Sequence, residues 1–244
     1  MKSPLLWSVC ALTYAFTMSV SAQTRSETFQ LGSRTVKIPA PDGFTDVFSR
    51  LDRLTGRVLA TEDPGNEALA THLPKSAIAQ FETNQDRDLE FYTKVSISKD
   101  AKTVDITPEM YGRIQSSLDK DIGTLFGTGG KLRTQIGGIT GKRLSELWGN
   151  ETDVRIDQPL NLGVFDRGEN VISSMMFLKY EMNNKKFSML ATLSFLSINQ
   201  RLVFVYAYRT SPVKYVYSMS PGKKDIETLL DFTKKWTAAI VAAN

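Results

Sequence analysis

The stretch VISSMMFLKYEMNNKKFSMLATLSFLSINQRLVFVYAYR, Val171 to Arg209, decides the fold. It divides into three apolar-rich strands, Val171–Met182, Phe187–Ile198 and Leu202–Arg209, and a fourth, Leu160–Phe165, lies just upstream. The connections Asp166–Asn170, Asn183–Lys186 and Asn199-Gln200 are short and rich in turn-forming residues. A parallel return needs roughly a dozen residues or more, so these strands must run antiparallel, as a meander. Met175 and Phe177 fall on one face, Met176 and Leu178 on the other. With both faces apolar, something must cover each, and helices are the expected cover.

Working outward toward the C-terminus, Ser220-Pro221 reads as a helix start, with serine capping and proline at the first helical position. Ile226, Leu229, Leu230, Thr233, Trp236 and Ile240 then form one stripe, with Lys223, Lys224, Glu227, Asp231, Lys234 and Lys235 largely opposite. The fold class is α+β: an antiparallel meander sheet covered by helices, including a C-terminal helix packed on the sheet. Phe204, Tyr206 and Tyr208 share a face of the last strand, and the C-terminal helix is expected to seal them, with Trp236, into the core. Tyr215 and Tyr217, between Lys214 and Lys223-Lys224, are candidate interface residues for a membrane surface or a protein partner, where amphipathic rings are favoured.

Toward the N-terminus the pattern is less regular. Phe29 and Leu31, then Val36 and Ile38, flank Gly32-Ser33 and predict a two-residue hairpin with Phe29 opposite Val36. Phe44, Val47, Phe48, Leu51 and Leu54 have helical spacing, with Asp42 as a cap. Residues 57–61 read as a short strand and 62–76 as loop. Asp88 to Ser98 alternates: Leu89, Phe91, Val95 and Ile97 point inward, while Asp88, Glu90, Lys94 and Ser96 form a solvated outer face. Thr107-Pro108 opens a helix whose buried side carries Met110, Ile114, Leu118, Ile122 and Leu125, ending at Gly127.

Between the halves lies FGTGGKLRTQIGGITGKR, Phe126 to Arg143, with six glycines, four basic residues and no acid. A nucleotide P-loop needs Gly-x4-Gly-Lys-Ser/Thr. Counting back from Gly130-Lys131 and from Gly141-Lys142 puts Leu125 and Ile136 at the first glycine, and Leu132 and Arg143 at the hydroxyl. The stretch therefore reads as a flexible, solvated connection. Its cations Lys131, Arg133, Lys142 and Arg143 are candidates for an anion or phospholipid-headgroup contact.

No reaction is identified by motif. There is no Gly-x-Ser-x-Gly elbow, and Ser96-x-x-Lys99 and Ser117-x-x-Lys120 lack the partners of a serine–lysine site. His72, the only histidine, sits in a stretch read as polar loop. One histidine and one cysteine cannot make the usual zinc sets, and no calcium loop occurs, so neither metal nor cofactor is expected. A pair of carboxylates leaves no sequence mark, which keeps a hydrolase as the competing class.

Residues 1–22 read as a signal peptide. Lys2 precedes the apolar run Leu5 to Val20, and Val20-Ser21-Ala22 offers a cleavage site. Cleavage would remove Cys10, the only cysteine, and leave 23–244 as one α+β domain with 23–130 and 131–244 as candidate sub-lobes. Without Lys2, 29 basic residues face 26 acidic ones. That balance is too even for a nucleic-acid footprint but compatible with weak contact to an anionic membrane surface.

Asn199-Gln200-Arg201, the strand LVFVYAYR, the ending WTAAIVAAN and the N-terminal IPAPDGF resemble a family of exported proteobacterial proteins. That resemblance brings no activity or catalytic residue with it. The helix-covered antiparallel sheet is also similar in layout to PsbP-like accessory proteins. Together these readings lead to the expectation of an exported, periplasmic or secreted, non-catalytic accessory or binding protein, whose partner is an envelope protein or surface. The alternative is an envelope hydrolase using paired carboxylates.

Overall fold

Two pairs of left-handed residues fix the meander. Asn183 (φ 51) and Asn184 (φ 64) join β8 (Val171–Met182) to β9 (Lys185–Ile198). Asn199 (φ 47) and Gln200 (φ 62) join β9 to β10 (Arg201–Thr210). Two successive residues of this kind make the hairpin turn whose twist matches the strands it connects, and asparagine tolerates that backbone better than most residues. The structure, a computed structural model, describes residues 26–48, 50–84, 88–125, 131–210 and 221–244, with side chains for all of these except 26, 119–125 and 131–136. The proposed signal peptide, 1–22, lies outside the described residues.

β7 (Leu160–Arg167) pairs with β8, so the four predicted strands form the antiparallel meander as expected. On its free side β10 pairs with β5 (Phe91–Ser98), followed by β4 (Asn66–Pro74) and β3 (Phe44–Asp46). β6 (Val154–Ile156) takes the far end of β8. The result is an eight-stranded sheet of order β3-β4-β5-β10-β9-β8-β6, with β7 also beside β8. The β5–β10 pairing, with Val95 opposite Val205, runs the sheet through both halves of the chain.

One face of the sheet is covered by the hairpin β1 (Ser26–Leu31)–β2 (Arg34–Pro39) and by α5 (Lys223–Ala242). The hairpin has the predicted register, Phe29 opposite Val36, with Gly32 at φ 61. Leu31, Val36 and Ile38 pack with Val95, Ile97, Leu196, Val203 and Val205 against Trp236 and Ile240 of α5. Trp236 Nε1 donates to the Pro39 carbonyl at 2.8 Å, and the Thr192 and Thr233 hydroxyls meet at 2.9 Å. α5 begins two residues beyond Pro221, with Gly222 as its N-cap and no side-chain cap; Ser220 lies outside the described residues.

The opposite face carries α1 (Asp52–Ala60), α3 (Pro108–Leu125) and α4 (Lys131–Trp148). α3 starts as predicted, with Thr107 Oγ1 accepting from the Met110 N–H at 3.2 Å. Met110, Ile114 and Leu118 pack on Ile172, Phe195 and Phe204. Ile122 and Leu125 fall where side chains are not described, and Gly127 lies outside the described residues. Strand alternation corrects the expected place of the β10 aromatics. Val203, Val205 and Ala207 meet α5, so Phe204, Tyr206 and Tyr208 point to this second face.

The N-terminal half departs most from its pattern. Phe44 belongs to β3, within 5.1 Å of the Phe91 and Phe232 rings, and Asp42 lies in the turn before it and caps no helix. The helical spacing is real but starts later: Val47, Leu51, Leu54 and Val58 are buried, and α1 runs through the predicted strand at 57–61. Residues 66–74, read as loop, form β4. Ala68 to Leu73 are buried without alternation, because β4 is an interior strand covered on both faces. A short α2 (Ile78–Thr83) follows, placing Phe81 against Leu54 and Leu73.

Over Lys131 to Arg143 the glycine-rich stretch is not a flexible connector, and its first residues, 126–130, lie outside the described residues. From Lys131 onward it is α4, whose buried face carries Gly137, Thr140, Gly141 and Leu144. A Cβ on Gly137 would lie 2.7 Å from the Val154 carbonyl oxygen, and one on Gly141 2.7 Å from that of Thr152. These glycines let the 152–154 backbone lie directly on the helix. Gly138 faces open space. Gly141→Val should therefore lower the unfolding free energy by about 2 kcal/mol through overpacking. Gly138→Ala should raise it by up to ~1 kcal/mol through helix propensity. Urea unfolding of the two variants checks this, and a loss or a gain shared by both would contradict the packed-helix account.

Candidate binding site

Cross-strand pairing on the second face builds an aromatic floor. Tyr92 of β5 and Tyr208 of β10 are register partners and stack with centroids 4.6 Å apart and planes 17° apart. Tyr206 lies parallel to Tyr208 at 5.9 Å, and Tyr180 of β8 stacks on its partner Phe187 of β9 at 5.2 Å and 14°. α4 supplies Thr140, Leu144 and Trp148 at four-residue spacing, one side of a helix. α1 and the residue after it add Arg57, Val58 and Thr61, and β6 adds Val154 and Ile156. Gly56 permits this roof to close, since a Cβ there would come within 2.8 Å of the Leu147 side chain.

The space between floor and roof is a half-open cavity of about 400 Å3 whose lining is chiefly apolar. Its charged lining residues are Arg57, Asp88 and Lys186, of which Asp88 and Lys186 are solvent-exposed at the mouth. Burial pushes the Tyr92 and Tyr208 hydroxyls well above their ordinary range, and Tyr180 adds to the shift on Tyr92. Tyr180 is pushed up to about 12, first by burial and then by the Asp88 charge. The hydroxyls therefore stay protonated, as neutral donors, at ordinary pH.

Beside the cavity lies a buried ion pair that sequence alternation assigned to a solvated face. Lys94 Nζ is 3.0 Å from Glu62 Oε2, and Ser96 Oγ donates to the same oxygen at 2.6 Å. The Asn66 side-chain amide and the Asp63 N–H donate to Glu62 Oε1, each at 3.2 Å. Lys94 and Glu62 are 3% and 6% exposed, while Asp88 and Glu90 on the same strand run are exposed as predicted. The difference is position: Asp88 and Glu90 precede β5, whereas Lys94 and Ser96 lie within it and meet Glu62, just beyond α1. Burial lowers the Lys94 pKa, and the Glu62 charge opposes that shift. None of Glu62, Lys94 and Ser96 lines the cavity. Ser96 and Lys99 form no dyad, because Lys99 Nζ donates to the Pro64 carbonyl at 2.8 Å.

His72 is not in a loop. It lies on β4, fully buried, with Nδ1 2.9 Å from Thr93 Oγ1 and its ring edge-on to Trp236 at 5.6 Å. Burial pulls its pKa down to about 3. Of the four predicted cations, Lys142 is exposed, while Arg143 Nη1 donates to the Glu62 carbonyl, just beyond α1, at 2.6 Å and reaches the Leu59 carbonyl of its last turn at 3.5 Å. Lys131 and Arg133 lie in α4, but their side chains are outside the described residues, as are Tyr215 and Tyr217.

Two carboxyl groups do meet at Asp46 and Glu27. Asp46 is half-buried, and burial raises its pKa against hydrogen bonds from the Thr71 and Phe48 N–H groups and the Glu27 side chain. Neither residue lines the tyrosine cavity. Among the described residues no group of three or more histidine, cysteine, aspartate or glutamate side chains is placed to hold a metal, and no helix is long and apolar enough to cross a membrane.

No protein-family model matches this chain, and no curated protein matches it. Among solved structures, the Saccharomyces cerevisiae Ran-binding protein Mog1p, known from a 1.9 Å crystal structure, is similar over 88% of this chain and 94% of that chain. The identity is 8% and the TM-score 0.32. The functional reading therefore rests on the site.

Proposed function

We propose that this protein is an exported, non-catalytic binding module of the cell envelope, and that the tyrosine-lined cavity takes a small, mainly apolar ligand. The observation that carries this reading is the cavity itself. Its volume, about 400 Å3, falls within the usual ligand-pocket range of ~300–1,000 Å3, and apolar walls with a few hydroxyls are the usual lining. The buried ionisable pair next to it has its polar atoms bonded to one another and held out of the cavity, an arrangement suited to packing. Export rests on the Lys2-to-Ala22 pattern and on the resemblance to exported proteobacterial proteins. An envelope protein or an anionic membrane surface is the partner this reading expects.

The competing hydrolase needs two carboxyl groups flanking one cleft. Asp88 is the acid in the cavity lining, and the Asp46–Glu27 pair lies elsewhere. A fluorescent naphthylamine dye should bind the folded protein and brighten. Leu178→Trp, which fills the cavity from β8, should weaken that binding at least tenfold while circular dichroism stays unchanged. An unchanged dye affinity would sink the cavity as the site. Turnover of a glycan or ester panel that disappears in Asp88→Asn or Asp46→Asn would replace the binding module with the hydrolase. Mass spectrometry of protein recovered from the periplasm should find a chain beginning at Gln23.

A further inference from the structure

The walls of the cavity are specific about what they can hold. Tyr92 and Tyr208 are locked face to face, and so are Tyr180 and Phe187, with interplanar angles of 17° and 14°. Stacking fixes both pairs, so the aromatic surfaces they present are flat and rigid. Trp148, from α4, adds a further ring to the lining. A flexible alkyl chain gains only area burial from such walls and loses its rotamer freedom. A planar ring gains the same burial plus aromatic contact, at little ordering cost.

The polar groups narrow the choice further. Charge in the lining is confined to Arg57, Asp88 and Lys186, which include both signs, and the rest of its polarity comes from uncharged groups, chiefly the hydroxyls of tyrosine and threonine. A cation drawn inside would face Arg57, whose charge reaches both Tyr92 and Tyr180, and an anion would give up its hydration for a guanidinium that already has an interaction of its own. Tyr92 on β5 and Tyr180 on β8 both line the space and approach it from the two sides of the β10–β9 pair, near enough for Tyr180 to act on the Tyr92 hydroxyl. A guest that covers these hydroxyls must offer them a hydrogen-bonding oxygen, because a buried hydroxyl left unpaired is costly.

We propose that the cavity is selective for a small, neutral, fused-ring aromatic molecule carrying a hydroxyl or carbonyl oxygen, with Tyr92 and Tyr180 bonding that oxygen. This rests on the reading of the cavity as a ligand site. The test uses the full folded chain and three neutral probes, naphthol, naphthalene and dodecanol, in equilibrium dialysis. Naphthol should bind most tightly. Tyr92→Phe/Tyr180→Phe keeps both ring stacks and should weaken naphthol roughly tenfold or more, the worth of its two lost hydrogen bonds, with naphthalene unchanged. Tyr206→Phe, which does not line the cavity, should change neither. If the double variant does not fold, the single variants Tyr92→Phe and Tyr180→Phe carry the same comparison. Dodecanol binding more tightly than naphthol would overturn the ring selectivity while leaving an apolar ligand site in place. Naphthol affinity equal in wild type and tyrosine variants would overturn the role of the hydroxyls. Binding of none of the three would overturn the proposal together with the ligand site.

Discussion

Acidifying the protein from neutral pH to about pH 3 should cost its folded state on the order of 5 kcal/mol through His72 alone. The pKa of this side chain falls from 6.5 to about 3 on folding because burial disfavours the imidazolium. Each pKa unit is worth about 1.4 kcal/mol. Above pH 6.5 the ring is neutral in both states, and the stability it contributes is fully present. As pH falls below that value the unfolded chain takes up a proton that the folded protein refuses, so the unfolding free energy drops until about pH 3. Asp46 works in the opposite sense: its raised pKa makes the folded state the better proton acceptor as pH falls. The comparison with His72→Gln separates the two, since Asp46 is present in both chains and no second histidine exists. Urea unfolding from pH 7 to pH 4 should give a steep acid slope for wild type and a much flatter one for the variant. Parallel slopes, or an imidazole resonance titrating near pH 6, would remove the burial argument.

The burial of His72 also shows why the fold of the N-terminal half is less legible in the sequence than that of the C-terminal half. The meander could be read because its register is set locally, by Asn183-Asn184 and Asn199-Gln200, and because each strand is long enough to show its apolar residues. The stripe of α5 is local in the same way. β4 has no such signature: Ala68, Ala70, Thr71 and His72 are small or polar, and only pairing with β5 and β3 makes them a strand. α4 was concealed by its glycines, whose role depends on the approach of the 152–154 backbone, a contact that no spacing within the helix announces.

The site was legible only in pieces. Tyr208 stands out in the aromatic strand, but nothing in that strand says which of its faces α5 covers. Its stacking partner Tyr92 is more than a hundred residues away, and their contact follows from the long-range β5–β10 register. Thr140, Leu144 and Trp148, spaced by four, are the local signal of the roof, masked by the glycines among which they begin. Lys94 and Ser96 were hidden by alternation itself, which says that two residues share a face but not whether anything covers it.

That covered face carries the second large effect. Glu62→Leu should lower the unfolding free energy by about 3–5 kcal/mol, because it leaves Lys94 buried without a counter-charge. Lys94→Met should cost a comparable amount by stranding the carboxylate. The double variant Glu62→Leu/Lys94→Met should recover most of the loss, since taking both charges out of water is itself expensive and apolar replacements of similar volume avoid that cost. The coupling read from the cycle is then large and favourable, whereas double-variant stability equal to the sum of the single losses would deny that the charges depend on each other. The pair also has a consequence for the cavity. Glu62 follows α1, its carboxylate anchors to Lys94 and Ser96 on β5, and its carbonyl accepts from Arg143 of α4 at 2.6 Å. The residue thus holds both roof helices down on the tyrosine floor. Glu62→Leu should weaken naphthylamine binding as well as stability, and the double variant should restore stability more fully than binding, because packing replaces the lost charges but only a carboxylate holds the end of α1 through bonds to Lys94, Ser96 and Asn66 together. Dye affinity that follows stability in all three variants would reduce the pair to a packing element with no separate hold on the roof.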